Sequence, residues 1–299
     1  MLRYRILVTV VIAVALAGCA TRLAYSNLDW LLLRNVDGLV KLEGAQRDQA
    51  RQSIEDLLVW HCATQLPAYS QWLESLRAQT RQGTLTAVDL EAHVVQIEEF
   101  WQAVVNEGWP EVADWLASLS KVQAAELFES FEERNQEIIE EYLEPPAHEV
   151  RRQRARNMER SLARFFGRLD AGQRHRVEEW SRAVEPLAPL WLENRLAWQS
   201  ALARALEIRD DPALFNAAIE TMLTDLRYGW SDEYQRVWAH NQRQLLELIA
   251  DIHTMASERQ RARFEQRLVS LGRDFERLSC PEEPASSSVP DDQNEWNFQ

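Results

Sequence analysis

The chain of 299 residues has few of the residues that build turns, phosphate loops and metal sites. It contains only nine glycines and three cysteines. It has no glycine-rich phosphate loop and no Gly-x-Ser-x-Gly motif. Its six histidines do not form His-Glu-x-x-His or another close metal-binding spacing. These absences argue against nucleotide hydrolysis, serine hydrolysis and zinc chemistry, so we expect a protein that is not an enzyme and binds no cofactor.

Positive charge is also scarce. The chain has 33 Lys and Arg against 47 Asp and Glu, which gives a formal net charge of −14 at pH 7. A surface of this sign repels the phosphates of nucleic acids, so we expect no nucleic-acid partner.

The alternation of apolar and polar residues that marks β-strands is absent, whereas Ala, Leu, Glu, Gln and Arg are abundant. This composition predicts an all-α multi-helix bundle. Pro67 is expected to kink the first long helix, and Pro186 and Pro189 to strain a later one. The predicted helices are 44–82, 86–107, 110–118, 120–144, 146–168, 170–208, 211–228, 231–253 and 257–278.

The N-terminus carries an export signal. Arg3 and Arg5 precede an apolar run that ends at Ala17, which is shorter than the ~20 residues of a membrane-spanning helix. Leu16-Ala-Gly-Cys19 follows and resembles the bacterial lipobox. The resemblance implies that residues 1–18 are removed and that Cys19 carries an S-diacylglycerol and an N-acyl chain. Because Ala20 and not Asp follows this cysteine, it also implies an outer-membrane location, with the body facing the periplasm.

Two more cysteines, Cys62 and Cys280, lie near opposite ends of the helical region. In the oxidising periplasm they could form a disulfide, or both could remain free, buried thiols, and the sequence leaves both alternatives open. Residues 19–41 are interpreted as a lipidated tether with a short N-terminal element. Residues 280–299 are rich in Ser, Pro, Asp and Glu, and we expect an acidic, disordered tail.

A pattern of the form Leu-[Ser/Asp/Glu]-x-x-Gln recurs where helices are expected to start. It is typical of a capping box, in which a short polar side chain and a Gln satisfy each other's backbone amides. Glu43 is a poor N-cap residue, so the first copy is imperfect. The copies are Leu42 to Gln46, Leu119 to Gln123, Leu169 to Gln173 and, more weakly, Ala256 to Gln260.

Further motifs repeat with the boxes. Pro-x4-Trp-Leu-Glu begins at Pro67 and again at Pro186, and Gly-Trp occurs at Gly108 and again at Gly229. We interpret this as a tandem duplication, with a first helical unit at 42–168 and a second at 169–279. Coincidence in a chain rich in Trp and Leu is the alternative.

Two charged stripes flank Pro145-Pro146 and suggest an antiparallel charged hairpin. Their residues recur at i, i+4 and so share one helix face. The two stripes could face each other or solvent as ion pairs, each of which stabilises the fold only slightly. Alternatively, the arginines could form a basic groove for lipid phosphate, lipopolysaccharide or an acidic partner. The acidic stripe is Glu129, Glu133, Glu137 and Glu141, and the arginine stripe is Arg152, Arg156, Arg160, Arg164 and Arg168.

The chain has twelve tryptophans. Trp191 and Trp198 are seven residues apart and share a helix face. Most of the tryptophans are expected to pack in the core, and the alternative is a partly exposed aromatic cradle for unfolded or lipidic clients. Trp30 and Trp296 are expected outside the core.

Three stretches resemble a family of uncharacterised proteobacterial lipoproteins. They are Tyr25-Ser-Asn-Leu-Asp-Trp30, Trp60-His61 and Leu66-Pro-Ala-Tyr69. The Leu and Gln of the boxes are also similar to the Leu-Thr-x-x-Gln pattern of the Spy and CpxP group, although the Thr is missing. That resemblance implies an envelope protein that binds other proteins as a chaperone-like or assembly factor. The alternative is a lipid- or lipopolysaccharide-binding protein that uses the arginine stripe.

Overall fold

The computed structural model describes residues 25–83 and 85–280. Within these ranges the chain is an all-α multi-helix bundle without strands, as the composition predicts. The predicted export signal, Cys19, Trp296 and the predicted disordered tail after Cys280 lie outside the described residues. None of the described helices is both long and apolar enough to cross a membrane.

The described helices follow one another with short connections, and two π-helical segments, π1 and π2, interrupt them. They are α1 Leu28–Asp37, α2 Gly44–Trp60, π1 His61–Gln65, α3 Leu66–Arg81, α4 Ala87–Ser118, α5 Lys121–Ile138, π2 Ile139–Leu143, α6 Ala147–Phe166, α7 Ala171–Ala183, α8 Ala188–Glu207, α9 Pro212–Thr224, α10 Asp232–Met255 and α11 Glu258–Leu278.

Two predicted helix boundaries are wrong. The stretches 86–107 and 110–118 form one helix, α4, which continues through Pro110. Burial near both ends of α4 holds it together, since Leu90 and Ala113 are both buried. Conversely, the predicted helix 170–208 is two helices, because α7 ends at Ala183 and α8 begins at Ala188. The prolines act at this break, where Pro186 cannot donate a backbone hydrogen bond.

The apolar side chains form two cores, and neither belongs to one sequence unit. Core A combines α3 and the start of α4 with α6, α7, α11 and the C-terminal half of α10. Core B combines α1, the end of α4 and α5 with α8 and α9. Each core therefore contains helices from both sides of the boundary at residue 168.

The predicted charged hairpin does not form. Helix α5 packs against α8, whereas α6 packs against α7 and α11 in the other core. Separation of the two helices follows from their buried residues: Leu127 of α5 lies in core B, whereas Leu162 and Phe166 of α6 lie in core A. Burial of these apolar side chains outweighs the weak attraction between exposed charges.

Candidate functional site

The helix-start boxes meet in pairs, one pair in each core. Gln46 and Gln123 exchange side-chain hydrogen bonds, with Nε2-to-Oε1 distances of 3.2 and 2.7 Å. Gln173 and Gln260 do the same at 3.3 and 2.9 Å. We call each pair a glutamine clasp. The leading apolar residue of every box, including Leu42 and Ala256, is buried beside its clasp.

Three of the four boxes are complete capping boxes, with N-cap residues Ser120, Asp170 and Ser257. Ser257 belongs to the copy from Ala256 to Gln260, whose sequence matches the pattern least well. Glu43 makes no cap bond through its side chain, so the first box is imperfect, as its sequence predicts.

The clasps explain why the boxes end in Gln. In a complete box the Oε1 of Gln accepts from the N-cap amide, as Gln173 does from Asp170 at 3.0 Å. Its Nε2 remains available and donates to the opposite helix start, as Gln260 does to the carbonyl of Arg168 at 3.1 Å. Glu could close the box but could not donate to the second helix.

A second cluster lies at π1, where a histidine bridges two tyrosines. The Tyr25 hydroxyl is 3.0 Å from His61 Nδ1, and the Tyr69 hydroxyl is 3.2 Å from His61 Nε2. Neutral imidazole donates at one nitrogen and accepts at the other, so it can hold both hydroxyls at once. The next residue, Cys62, forms a disulfide with Cys280, with the two Cα atoms 5.1 Å apart.

We call this cluster the terminal junction, defined by Tyr25, His61, Cys62, Tyr69 and Cys280. It ties Tyr25, which precedes α1, and Cys280, which follows α11, to adjacent residues of π1. The amide of Cys280 also donates to the carbonyl of Cys62 at 3.1 Å. A π-helical turn inside an α-helix often marks a functional position. Here it presents His61 to Tyr25 and Cys62 to Cys280.

Burial sets the protonation of the junction. It lowers the pKa of His61 from 6.5 to about 4, because the imidazolium would lose its hydration. It raises the pKa of Tyr25 to about 12 for the corresponding reason. The pKa of Tyr69 is also raised, first by burial and then by the nearby Tyr25. Apolar neighbours provide this burial, since the Tyr69 ring lies edge-on to Phe100 at 4.7 Å. The junction is neutral at physiological pH.

Four residues of the arginine stripe lie on the outer side of α6, whereas Arg168 follows the end of this helix at Phe166, and all five are exposed. Only Arg152 has a carboxylate partner, Glu149, at 3.8 Å on the same helix. The guanidinium groups of Arg156 and Arg160 instead donate to the side chains of Gln153 and Asn157. Within the described part of the chain, no ion pair links Arg156, Arg160, Arg164 or Arg168 to a carboxylate.

Helix α11 adds further arginines next to the arginine stripe of α6. The pKa of Arg267 is lowered first by burial and then by the charges of Arg263 and Arg164, whereas Asp274 opposes the shift. The side chain of Arg263 also lies close to Gly167. We call the exposed group of Arg156, Arg160, Arg164 and Arg263 the arginine surface. It concentrates positive charge on one face of a protein that is acidic as a whole.

Among the described residues, Trp180 belongs to core A, and Trp72, Trp109, Trp115 and Trp198 pack against the two cores, so core packing accounts for only some of the described tryptophans. Trp180 is buried at 7% exposure, and the other described tryptophans except Trp30 are half-buried. The indole of Trp198 donates to the carbonyl of Met222 at 3.3 Å, which is a packing role within core B. Trp30 is 54% exposed and lies on the outer face of α1.

Sequence reasoning gave the disulfide between Cys62 and Cys280 as one of two alternatives, but it missed the contacts of His61 with Tyr25 and Tyr69 and the pairing of the boxes. The residues that carry the lipoprotein-family resemblance gave a signal for the junction, because Tyr25, His61 and Tyr69 come from its three separate stretches. No property of those stretches alone shows that they meet. Across residues 25–83 and 85–280, no group of three or more His, Cys, Asp or Glu is arranged to hold a metal ion.

The chain belongs to a family of unknown function, DUF6279, whose model matches residues 38–235. This match covers more than half of the chain and agrees with the uncharacterised family that the sequence resembles. No curated protein and no solved structure shows significant similarity to it.

Proposed function

We propose that this protein is an outer-membrane lipoprotein, anchored through acyl chains on Cys19, whose periplasmic body binds an acidic envelope protein and catalyses no reaction. The lipobox residues Leu16 to Cys19 support the anchor. A disulfide between Cys62 and Cys280 is in keeping with an oxidising compartment. The resemblance of the boxes to the Spy and CpxP pattern supports a chaperone-like or assembly role.

The arginine surface is the observation that carries the binding role. Its four arginines are exposed, and none of them forms an ion pair with a carboxylate of the described residues. Arginine is well suited to interfaces, because its planar group binds carboxylates through two parallel hydrogen bonds. A partner with a row of carboxylates would match the i, i+4 spacing along α6.

A second candidate is binding of lipid phosphate, as in lipopolysaccharide. The proximity of Arg164 and Arg263, which both act on Arg267, favours it, because neighbouring like charges suit a ligand with a high local negative charge. Both candidates predict binding that weakens as salt is added, so salt dependence alone does not separate them.

Site-specific photo-crosslinking in intact cells separates the two candidates. A photoreactive residue at Arg160 should give one defined protein adduct, which should disappear when Arg156 and Arg164 are also changed to Glu. The same probe at Arg204, an exposed arginine of α8, is the matched control. A lipid adduct in place of a protein adduct would favour the second candidate, and equal adducts at both positions would refute the arginine surface as the site.

The charge requirement has its own control. The triple change Arg156→Glu, Arg160→Glu and Arg164→Glu should abolish binding of the crosslinked partner. A second triple change, at the exposed residues Arg204, Arg227 and Arg243, alters the net charge equally and should leave binding intact. Similar losses from both variants would show that only net charge matters.

The anchor is tested separately. Mass spectrometry of the N-terminal peptide should show acyl chains on Cys19, and Cys19→Ser should leave an unprocessed precursor. A mature chain that lacks acyl groups on this residue would overturn the anchor without affecting the arginine surface.

A further inference from the structure

Helix α1 exposes apolar residues on the side that faces away from the body. Trp30 is 54% exposed and Leu31 is 37% exposed. On the inner side Leu33 is buried at 6% in core B, and Val36 packs against that core. The inner face therefore accounts for the attachment of α1 to the body, whereas Trp30 and Leu31 on the outer face pack in neither core of the described residues.

The outer face combines an indole with a positive charge. The guanidinium carbon of Arg34 lies 5.2 Å from the centroid of the Trp30 ring, one helical turn away, in a cation–π contact. Asp29 in the first turn is favourable for the helix N-terminus. Indoles concentrate at the level of lipid headgroups, because the ring is apolar and its N–H is polar. A neighbouring arginine can then reach the phosphates.

The position of α1 in the chain identifies the partner. Cys19 precedes Tyr25 by six residues, which can span at most about 20 Å when fully extended. Tyr25 is held by His61 in the terminal junction, and α1 begins at Leu28. If Cys19 is acylated as proposed, α1 is the first element of the body that the bilayer can meet.

We propose that α1 lies on the bilayer that holds the acyl chains, with Trp30 and Leu31 at the headgroup level and Arg34 against a lipid phosphate. This inference rests on the proposed acylation of Cys19. Acyl chains on one cysteine hold the protein to the membrane but do not by themselves fix the orientation of the body. Contact through α1 fixes its orientation, so that the arginine surface always projects in the same direction relative to the membrane.

Fluorescence quenching by lipid tests the proposal on the acylated full-length protein. The protein is reconstituted into vesicles of phosphatidylethanolamine and phosphatidylglycerol that carry bromine near the glycerol end of the acyl chains. Trp30 should be quenched, and Trp30→Phe should remove most of the quenching. Trp101→Phe, at a half-buried position of α4, is the matched control and should leave the quenching unchanged.

Arg34→Glu supplies a second measurement on a protein that retains its indole. It should reduce the quenching in vesicles that contain phosphatidylglycerol, because like charges would repel α1 from the surface. Quenching that is absent, or equal in the protein with Trp30 and in Trp30→Phe, would overturn the proposal. Self-association in solution that is lost in Trp30→Phe, without quenching in vesicles, would also overturn it, in favour of a second copy covering α1.

Failure of the anchor is distinguished from failure of this inference by two independent readouts. The intact mass and the flotation of the protein with vesicles report acylation of Cys19, whereas quenching reports the contact of α1. A protein that floats without quenching of Trp30 retains its anchor and refutes only the role of α1.

Discussion

The two stretches that carry Pro-x4-Trp-Leu-Glu are built differently. In the first, α2, π1 and α3 form one continuous helical rod, and Pro67 lies in the first turn of α3. In the second, the chain breaks between α7 and α8, and Pro186 lies in the break. The same motif therefore does not dictate the same backbone.

The two stretches differ because their backbone amides and carbonyls have different hydrogen-bond partners. In the second stretch, the carbonyls of Ser181 and Val184 accept hydrogen bonds from the guanidinium of Arg154 at 3.1 and 3.2 Å. Asn241 bonds both the amide and the carbonyl of Glu185. In the first stretch, the backbone of π1 keeps its hydrogen bonds within the helix. The side chains of His61 and Cys62 contact Tyr25 and Cys280. The comparison teaches that partners from distant helices decide whether a proline breaks a helix.

Among the changes that would alter the difference between the two stretches, loss of the disulfide is expected to have the largest effect. Cys62 and Cys280 are 218 positions apart, and a crosslink closing so long a loop stabilises the folded state by about 5 kcal/mol in the chain-entropy account. Cys62→Ala with Cys280→Ala should lower the free energy of unfolding by this order in urea titrations. Hydrogen exchange should increase in 44–81 more than in 171–207, and equal increases would contradict the local role of the junction.

A decrease in pH should destabilise the first stretch more than the second. The unfolded chain binds a proton at His61 near its ordinary pKa of 6.5, whereas the folded chain binds it only near 4. This contribution to stability is therefore complete above pH 6.5 and is lost as the pH falls towards 4, by up to about 3 kcal/mol.

The histidine effect is isolated by His61→Gln, which cannot titrate. Unfolding titrations at pH 7 and pH 4.5 should show a smaller decrease in stability for the variant than for the parent protein. In the alignment that places Pro67 on Pro186, the corresponding position of the second stretch is the buried Trp180, which does not titrate. An identical pH dependence in parent and variant would show that His61 is not the group responsible.

Each glutamine clasp has one buried and one half-buried member, and Gln-to-Glu changes should reveal the difference between these two kinds of position. Gln173 is fully buried at 0% exposure, whereas Gln46 is half-buried. Gln173→Glu should cost about 2 kcal/mol at pH 7, because its carboxylate cannot donate to Gln260 and is buried.

Gln46→Glu should cost at most about 1 kcal/mol, since water reaches the half-buried side chain at this position. Thermal unfolding of the two variants measures both values. The penalty in the Gln173→Glu variant should shrink as the pH is lowered and the carboxyl group is protonated. A larger penalty at position 46 than at 173 would refute the dependence on burial.

The smallest expected effect is a repair of the imperfect first box. Glu43 has the extended backbone of an N-cap residue, with φ −113° and ψ 136°, but its side chain makes no cap bond. Glu43→Asp should supply that bond and stabilise the protein by about 0.5–1 kcal/mol. The matched change Ser120→Ala removes an existing cap and should destabilise it by a similar amount. A loss of stability in Glu43→Asp would contradict this explanation.

Much of the fold follows from local chemistry. Asp211 caps α9 ahead of Pro212, because both residues act within one turn. The capping boxes at Ser120 and Asp170 likewise require only residues three positions apart. The junction could not be predicted in this way, because Tyr25, His61 and Cys280 approach one another only through packing in core A.

The sequence by itself determined the all-α class, most of the helix starts and the residues that cap them, since these depend on interactions within a few positions. It also placed the two charged stripes on helix faces. The tertiary structure decided which helices share a core, which boxes clasp each other and that the arginine stripe remains apart from the acidic one. These outcomes depend on burial of apolar surface between distant segments, which outweighs the local preferences of prolines and exposed charges.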